Sequence, residues 1–127
     1  MMTKKKMPEE FTLLSEWQQR LGLQDWAIIL QINCSPKEME IPDVEGCTLW
    51  EESTKSAQIQ IVDPSKIEEL VRPFDFEEIL VHELMHIKTT LLSKKDQDDI
   101  TDRILHILID DTARALVDAK RYPTNAS

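Results

Sequence analysis

The chain has 127 residues, with 24 acidic and 15 basic side chains and a formal net charge of −9. Hydrophobic residues at 41% against 31% charged are globular proportions, too apolar for a disordered chain and sufficient for one core. The length excludes folds that need about 200 residues, such as a closed (β/α)₈ barrel, and the acidic balance argues against nucleic acid as a partner.

No apolar run approaches the roughly 18 residues of a transmembrane span, so no membrane partner is expected. The segment Met1 to Met7 carries Lys4-Lys5-Lys6, but Pro8-Glu9-Glu10 follows in place of an apolar stretch. It reads as a disordered tail, not a secretory signal. Without an export signal the expected location is cytoplasmic, with Cys34 and Cys47 as reduced, buried, small apolar groups. Gly22 and Gly46 are the only glycines, which excludes glycine-rich phosphate-binding loops.

In chain order, a helix is predicted over Pro8 to Leu21. Proline and two acids suit its first turn, Phe11, Leu14, Trp17, Gln18 and Leu21 follow the helical period, and Gly22 stops it. A strand follows over Trp26 to Cys34, with Trp26, Ile28, Leu30, Ile32 and Cys34 on one apolar face. Ser35 to Glu45 is a polar connection. Strands over Cys47–Glu51 and Ala57–Val62, joined by a short link, form an antiparallel hairpin in which Ala57, Ile59 and Ile61 point inward and Gln58 and Gln60 outward. Asp63-Pro64 ends it, and Ser65 to Val71 is a candidate short helix.

The next helix, over Phe76 to Leu91, opens on Asp75 with Glu78 in the pattern of a capping box. Its apolar stripe is Phe76, Ile79, Leu80, Leu84, Ile87 and Leu91. After a polar break at Ser93 to Asp96, a last helix runs from Asp98 to Lys120, with Ile100, Ile104, Ile107, Leu108, Ala115 and Leu116 as its expected buried side. The predicted class is α+β: a small, mainly antiparallel three-stranded sheet covered by helices. The domain spans residues 8–121, between tails at 1–7 and 122–127.

The chemistry concentrates in His82-Glu83-Leu84-Met85-His86, an HExxH motif. Residues four apart lie on one helix face, so two imidazoles converge on one ion, while Glu83 projects beside it and can take a proton from a metal-bound water. Two of the chain's three histidines lie here, among apolar flanks where unpaired polar groups are costly to bury. Zinc needs a third protein ligand. No glutamate follows Glu83, and Thr89 and Leu92 stand where the extended HExxHxxGxxH pattern would need Gly and His. That leaves His106, with Asp110 one turn further as either the alternative ligand or a hydrogen-bond acceptor for an imidazole. Asp99, Asp102 and Asp111 read as solvated charges, and no residue stands out as the oxyanion helper. The strand at Ala57–Val62 is the expected platform for an extended peptide substrate pairing along an exposed edge. Of the three tryptophans, Trp50 is the one expected to be exposed.

These residues resemble a known family. Leu23-Gln24-Asp25-Trp26 before an apolar strand, the Ala57-to-Ile61 strand, Val81 to His86, and a last helix ending in Ala113-Arg114-Ala115-Leu116 are together similar to a minimal zincin-type, gluzincin-like metallopeptidase domain. More narrowly, they resemble small phage- and prophage-encoded zinc-dependent proteases. The resemblance covers about residues 9 to 120 and is specific only in the HExxH. It implies a three-stranded sheet packed on the motif helix, a metal between two helices and a substrate-binding edge strand. It also implies a Glu ligand on the last helix, where this sequence has His106. The expected function is therefore a zinc-dependent peptidase with Zn²⁺ on His82, His86 and His106 and Glu83 as base then acid. The alternatives are an inactive metal- or protein-binding module of the same fold and a hydrolase of non-peptide bonds.

Overall fold

A computed structural model describes residues 8–41, 44–67, 73–90 and 98–123. Over these the chain runs α1 (Glu9–Arg20), β1 (Ala27–Cys34), β2 (Gly46–Glu51), β3 (Ser56–Val62), a 3₁₀ turn (Pro64–Lys66), α2 (Phe76–Lys88) and α3 (Asp99–Arg121). The fold is α+β, with three helices and one three-stranded sheet. None of these helices is long and apolar enough to cross a membrane.

Local chemistry accounts for the helix ends. α1 opens after Pro8 with Glu9 and Glu10 in its first turn, and the chain leaves it through Gly22 at φ +70°, a conformation that a side chain would strain. The Asp75 carboxylate accepts from the Glu78 N–H at 3.1 Å and starts α2. The reciprocal half of the capping box is replaced, because the Glu78 carboxylate pairs with Arg114. α2 ends at Lys88, earlier than expected, and Leu91 and the break at Ser93 to Asp96 lie outside the described residues. Asp98 caps α3 by accepting from the Thr101 N–H at 2.7 Å. The short helix expected over 65–71 reduces to the 3₁₀ turn in its described part. The Lys4–Lys6 run lies outside the described residues.

The strand order is β1-β3-β2, with β2 antiparallel and β1 parallel to β3. The sheet is thus mixed, which corrects the expectation of a mainly antiparallel one. The hairpin was dictated by its short link, whereas the flank taken by β1 was not. With β3 central, both its edges are paired, so it is not the exposed platform expected for substrate. Among the described residues, the free edges belong to β1 and β2.

This order also explains a second correction. Because β3 separates β1 from β2, the chain between them crosses the sheet face remote from α2. There Met39 is buried, and Gln60, expected to face solvent, is only 4% exposed. Its Oε1 accepts from the Glu40 N–H at 2.9 Å and its Nε2 donates to the Glu38 carbonyl at 3.2 Å. A bulge between Gln31 and Cys34, with Asn33 at φ 55°, takes Cys34 out of the strand's alternation. Cys34 joins Met39, Cys47 and Val62 in a small second cluster. Both cysteines are free and buried, as expected.

The main core lies between the other sheet face and the helices, centred on Ile59, Leu80, Val81, Leu84 and Ala113. At one end of α2 the buried Glu77 joins all three helices, accepting from Trp17 Nε1 of α1 at 2.7 Å and from Lys120 and Arg121 of α3. On α3 the expected buried side is overturned except at Leu116, which is partly buried against the main core, while Ala115 is exposed. Ile100 is 73% exposed, Leu108 58%, and Ile104 and Ile107 53%. Leu105, Ile109, Ala113 and Val117 are buried in their place. α3 carries two apolar stripes of the same period, and packing on α2 selects one of them.

Candidate metal centre

His82, Glu83 and His86 lie in the middle of α2, on the turns facing β2 and α3. The apolar residues between and beside them, Leu80, Val81, Leu84 and Ile87, are locked into the core, and this fixes the rotation of the helix about its axis. One ligand atom from each of His82, Glu83 and His86 falls within 4.8 Å of the others. The two imidazole centroids are 5.1 Å apart and tilted. The HExxH residues are therefore brought together as their spacing requires.

Glu83 is only 6% exposed. Its Oε1 accepts from the Thr48 hydroxyl at 2.7 Å, across from β2. Burial pushes the Glu83 carboxyl up to about 7, against the opposing effects of the Thr48 hydrogen bond and His106. Burial also pushes His86 down to about 4, helped by repulsion from His82 and His106. His86 is thus neutral at neutral pH, the form in which imidazole ligates a metal.

His106 projects from α3 toward the same place. Its ring stands edge-on to His86 with centroids 5.3 Å apart, but it is not a member of the tight group of ligand atoms. Its Nδ1 lies 2.9 Å from the Asp102 carbonyl; with the proton on Nδ1 this bond leaves Nε2 as the donor atom. Asp110 serves a different neighbour. Its carboxylate lies 3.5 Å from His82 Nδ1 and accepts from Arg114 at 2.9 Å. Asp99, Asp102 and Asp111 are exposed, as expected, but Asp102 Oδ2 lies 3.7 Å from His106 Nδ1 and Asp111 Oδ1 3.8 Å from Arg114 Nη1.

Two contributors do not stand out in the sequence. Thr48 reads there only as a strand residue, and its position depends on β2 lying over α2. Gly46 reads only as one of two glycines, yet a Cβ there would meet Ile79 Cγ2 at 2.8 Å and Glu83 Oε2 at 3.3 Å. A glycine opening a strand signals such a close approach. Val44 to Gly46, Glu78, Ile79, His82, Glu83 and Asp110 enclose a cavity of about 260 Å³ at the carboxylate. Trp50 is partly exposed, as expected, together with Leu49.

The grouping of His82, Glu83 and His86 is one that could hold a metal ion: imidazoles one helical turn apart, one of them held neutral, and a desolvated carboxylate beside them, with the His106 ring 5.3 Å from that of His86. Comparisons of the chain with protein families, with curated proteins and with solved structures find no match.

Proposed function

We propose that this chain is a zincin-like, zinc-dependent peptidase whose metal is held by His82, His86 and His106. The observation that carries the reading is the convergence of two imidazoles and a buried carboxylate on a helix that opens into a cavity. Bound there, zinc supplies a Lewis acid that polarises a carbonyl and acidifies water. Glu83 takes a proton from the attacking water at Oε2 and returns it to the departing amine, and its raised proton affinity suits both transfers. Thr48 holds the other carboxylate oxygen still. Asp110 orients His82, and the Asp102 carbonyl orients His106. β2, the edge strand beside Glu83, is the edge along which an extended peptide can pair. The wider separation of His106 from the tight group favours a second reading, an inactive module that binds metal or protein.

The test loads purified protein with one equivalent of zinc and offers a broad peptide library. Wild type should cleave, and Glu83→Gln should lose about 100-fold or more of that activity while retaining its zinc. His106→Ala should weaken zinc binding beyond the roughly 10–100-fold expected for losing an orienting partner in Asp110→Ala. Zinc-loaded wild type that cleaves nothing refutes the peptidase reading, and normal zinc affinity in His106→Ala refutes the ligand assignment.

A further inference from the structure

Where α2 meets α3, the facing side chains form a ladder. Each step of four residues forward on α2 meets a step of four back on α3. Glu78 faces Arg114, His82 faces Asp110 and His86 faces His106. Residues four apart share one side of a helix, so the rungs follow one another at about one turn, roughly 5.4 Å. The first rung is an ion pair, the second joins a carboxylate to an imidazole, and the third brings two imidazoles together. All three candidate metal ligands lie on the second and third rungs.

Arg114 spans the first two rungs. Its Nε donates to Glu78 Oε1 at 3.3 Å and its Nη2 to Asp110 Oδ2 at 2.9 Å, so one guanidinium bonds a carboxylate on each helix. The two oxygens of Asp110 thereby have different tasks. Oδ2 takes Arg114, and Oδ1 lies 3.5 Å from His82 Nδ1. Ion pairs as exposed as these add little to stability. What the guanidinium adds is direction, because its planar fork bonds carboxylates along set lines. With Oδ2 released, the partly exposed Asp110 is free to change rotamer and turn away from the imidazole. A guanidinium stays protonated and cannot itself ligate a metal, so its structural influence on the centre passes through Asp110.

We propose that Arg114 is a positioning residue for the metal centre. By holding Asp110 Oδ2 it keeps Oδ1 turned to His82 Nδ1, and His82 then presents Nε2 to the ion. A carboxylate at one imidazole nitrogen keeps the proton there and leaves the other nitrogen as the donor. The inference rests on the metal reading of the site and adds to it a residue that touches neither ion nor substrate. It also has a sign that charge alone does not give. Removing a cation near a bound dication should by itself tighten binding, whereas loss of positioning weakens it.

The test measures zinc affinity by competition with a chromophoric chelator, so it does not depend on turnover. Arg114→Gln should weaken zinc binding by about threefold or more, less than the roughly 10–100-fold expected of Asp110→Ala. In the Asp110→Ala background, Arg114→Gln should change the affinity by less than about twofold, because the group it acts through is gone. Lys120→Gln, which loosens the contact of α3 with α1 and α2 away from the site, should leave zinc affinity within about twofold of wild type. The visible absorption of the cobalt-loaded protein should change in Arg114→Gln and in Asp110→Ala but not in Lys120→Gln. Unchanged or tighter zinc binding in Arg114→Gln overturns the inference. So does a loss that persists in full without Asp110, which would make Arg114 a brace between the helices and nothing more. Wild type that binds no zinc sinks the metal reading and this inference together, while zinc binding that ignores Arg114 sinks this inference alone.

Discussion

Replacing Glu77 by glutamine removes one negative charge from the point where the three helices meet, at the end of the helix that carries the candidate site. Glu77 is buried and accepts from Trp17 Nε1 at 2.7 Å, from Arg121 at 3.2 Å, and from Lys120. Removing one partner from a fully buried ion pair costs about 3–5 kcal/mol. Here the loss is smaller, because Lys120 keeps Glu16 at 2.9 Å, Arg121 keeps Asp75, and glutamine still offers Trp17 a carbonyl. We expect about 2 kcal/mol, a large share of the roughly 5–15 kcal/mol that stabilises a domain. With a urea slope of about 1–2 kcal/mol/M the midpoint should fall by roughly 1–2 M.

Urea unfolding followed by tryptophan fluorescence reads this directly, since Trp17 contacts the altered group. The pH dependence is a sharper check. Burial raises the Glu77 carboxyl, but hydrogen bonds from Lys120 and Trp17 outweigh it and hold it below its ordinary 4.5. A depressed carboxylate contributes stability above its unfolded value and loses it as pH falls through the folded one. The gap between wild type and Glu77→Gln should therefore be full at neutral pH and narrow progressively below about pH 4.5. A gap under about 0.5 kcal/mol at neutral pH, or one unchanged down to about pH 3, would refute the network as described.

Gly46→Ala should cost about 1–3 kcal/mol in thermal unfolding, because the added methyl meets Ile79 at 2.8 Å and presses on Glu83; an unchanged melting temperature would count against the close approach. Thr48→Val should lose about 1.5–3 kcal/mol in urea at neutral pH by removing the donor to the buried carboxylate, and Thr48→Ser should recover most of it. Ile109→Ala should cost about 2–5 kcal/mol and Ile104→Ala under about 0.5 kcal/mol, a contrast that equal losses in chemical unfolding would contradict.

The features legible in the linear chain are those set by local chemistry. Asp75 and Asp98 cap their helices because a short acceptor three residues before an N–H needs no distant partner. The convergence of His82 and His86 follows from the helical period alone, and the β2–β3 hairpin from the shortness of its link. What tertiary structure decided is every choice between locally equivalent options. β1 took the open edge of β3 in parallel, which left β3 without the open edge expected of it and buried Gln60 under the crossing chain. Of two apolar stripes on α3, the one bearing Leu105 and Ile109 met α2, and that same rotation turned His106 and Asp110 toward the motif helix. The partnership of Thr48 and Gly46 with Glu83 arose only once β2 lay across α2, because a hydrogen bond or a steric limit between residues 35 and more apart depends on where the strands pack and leaves no periodic trace in the chain.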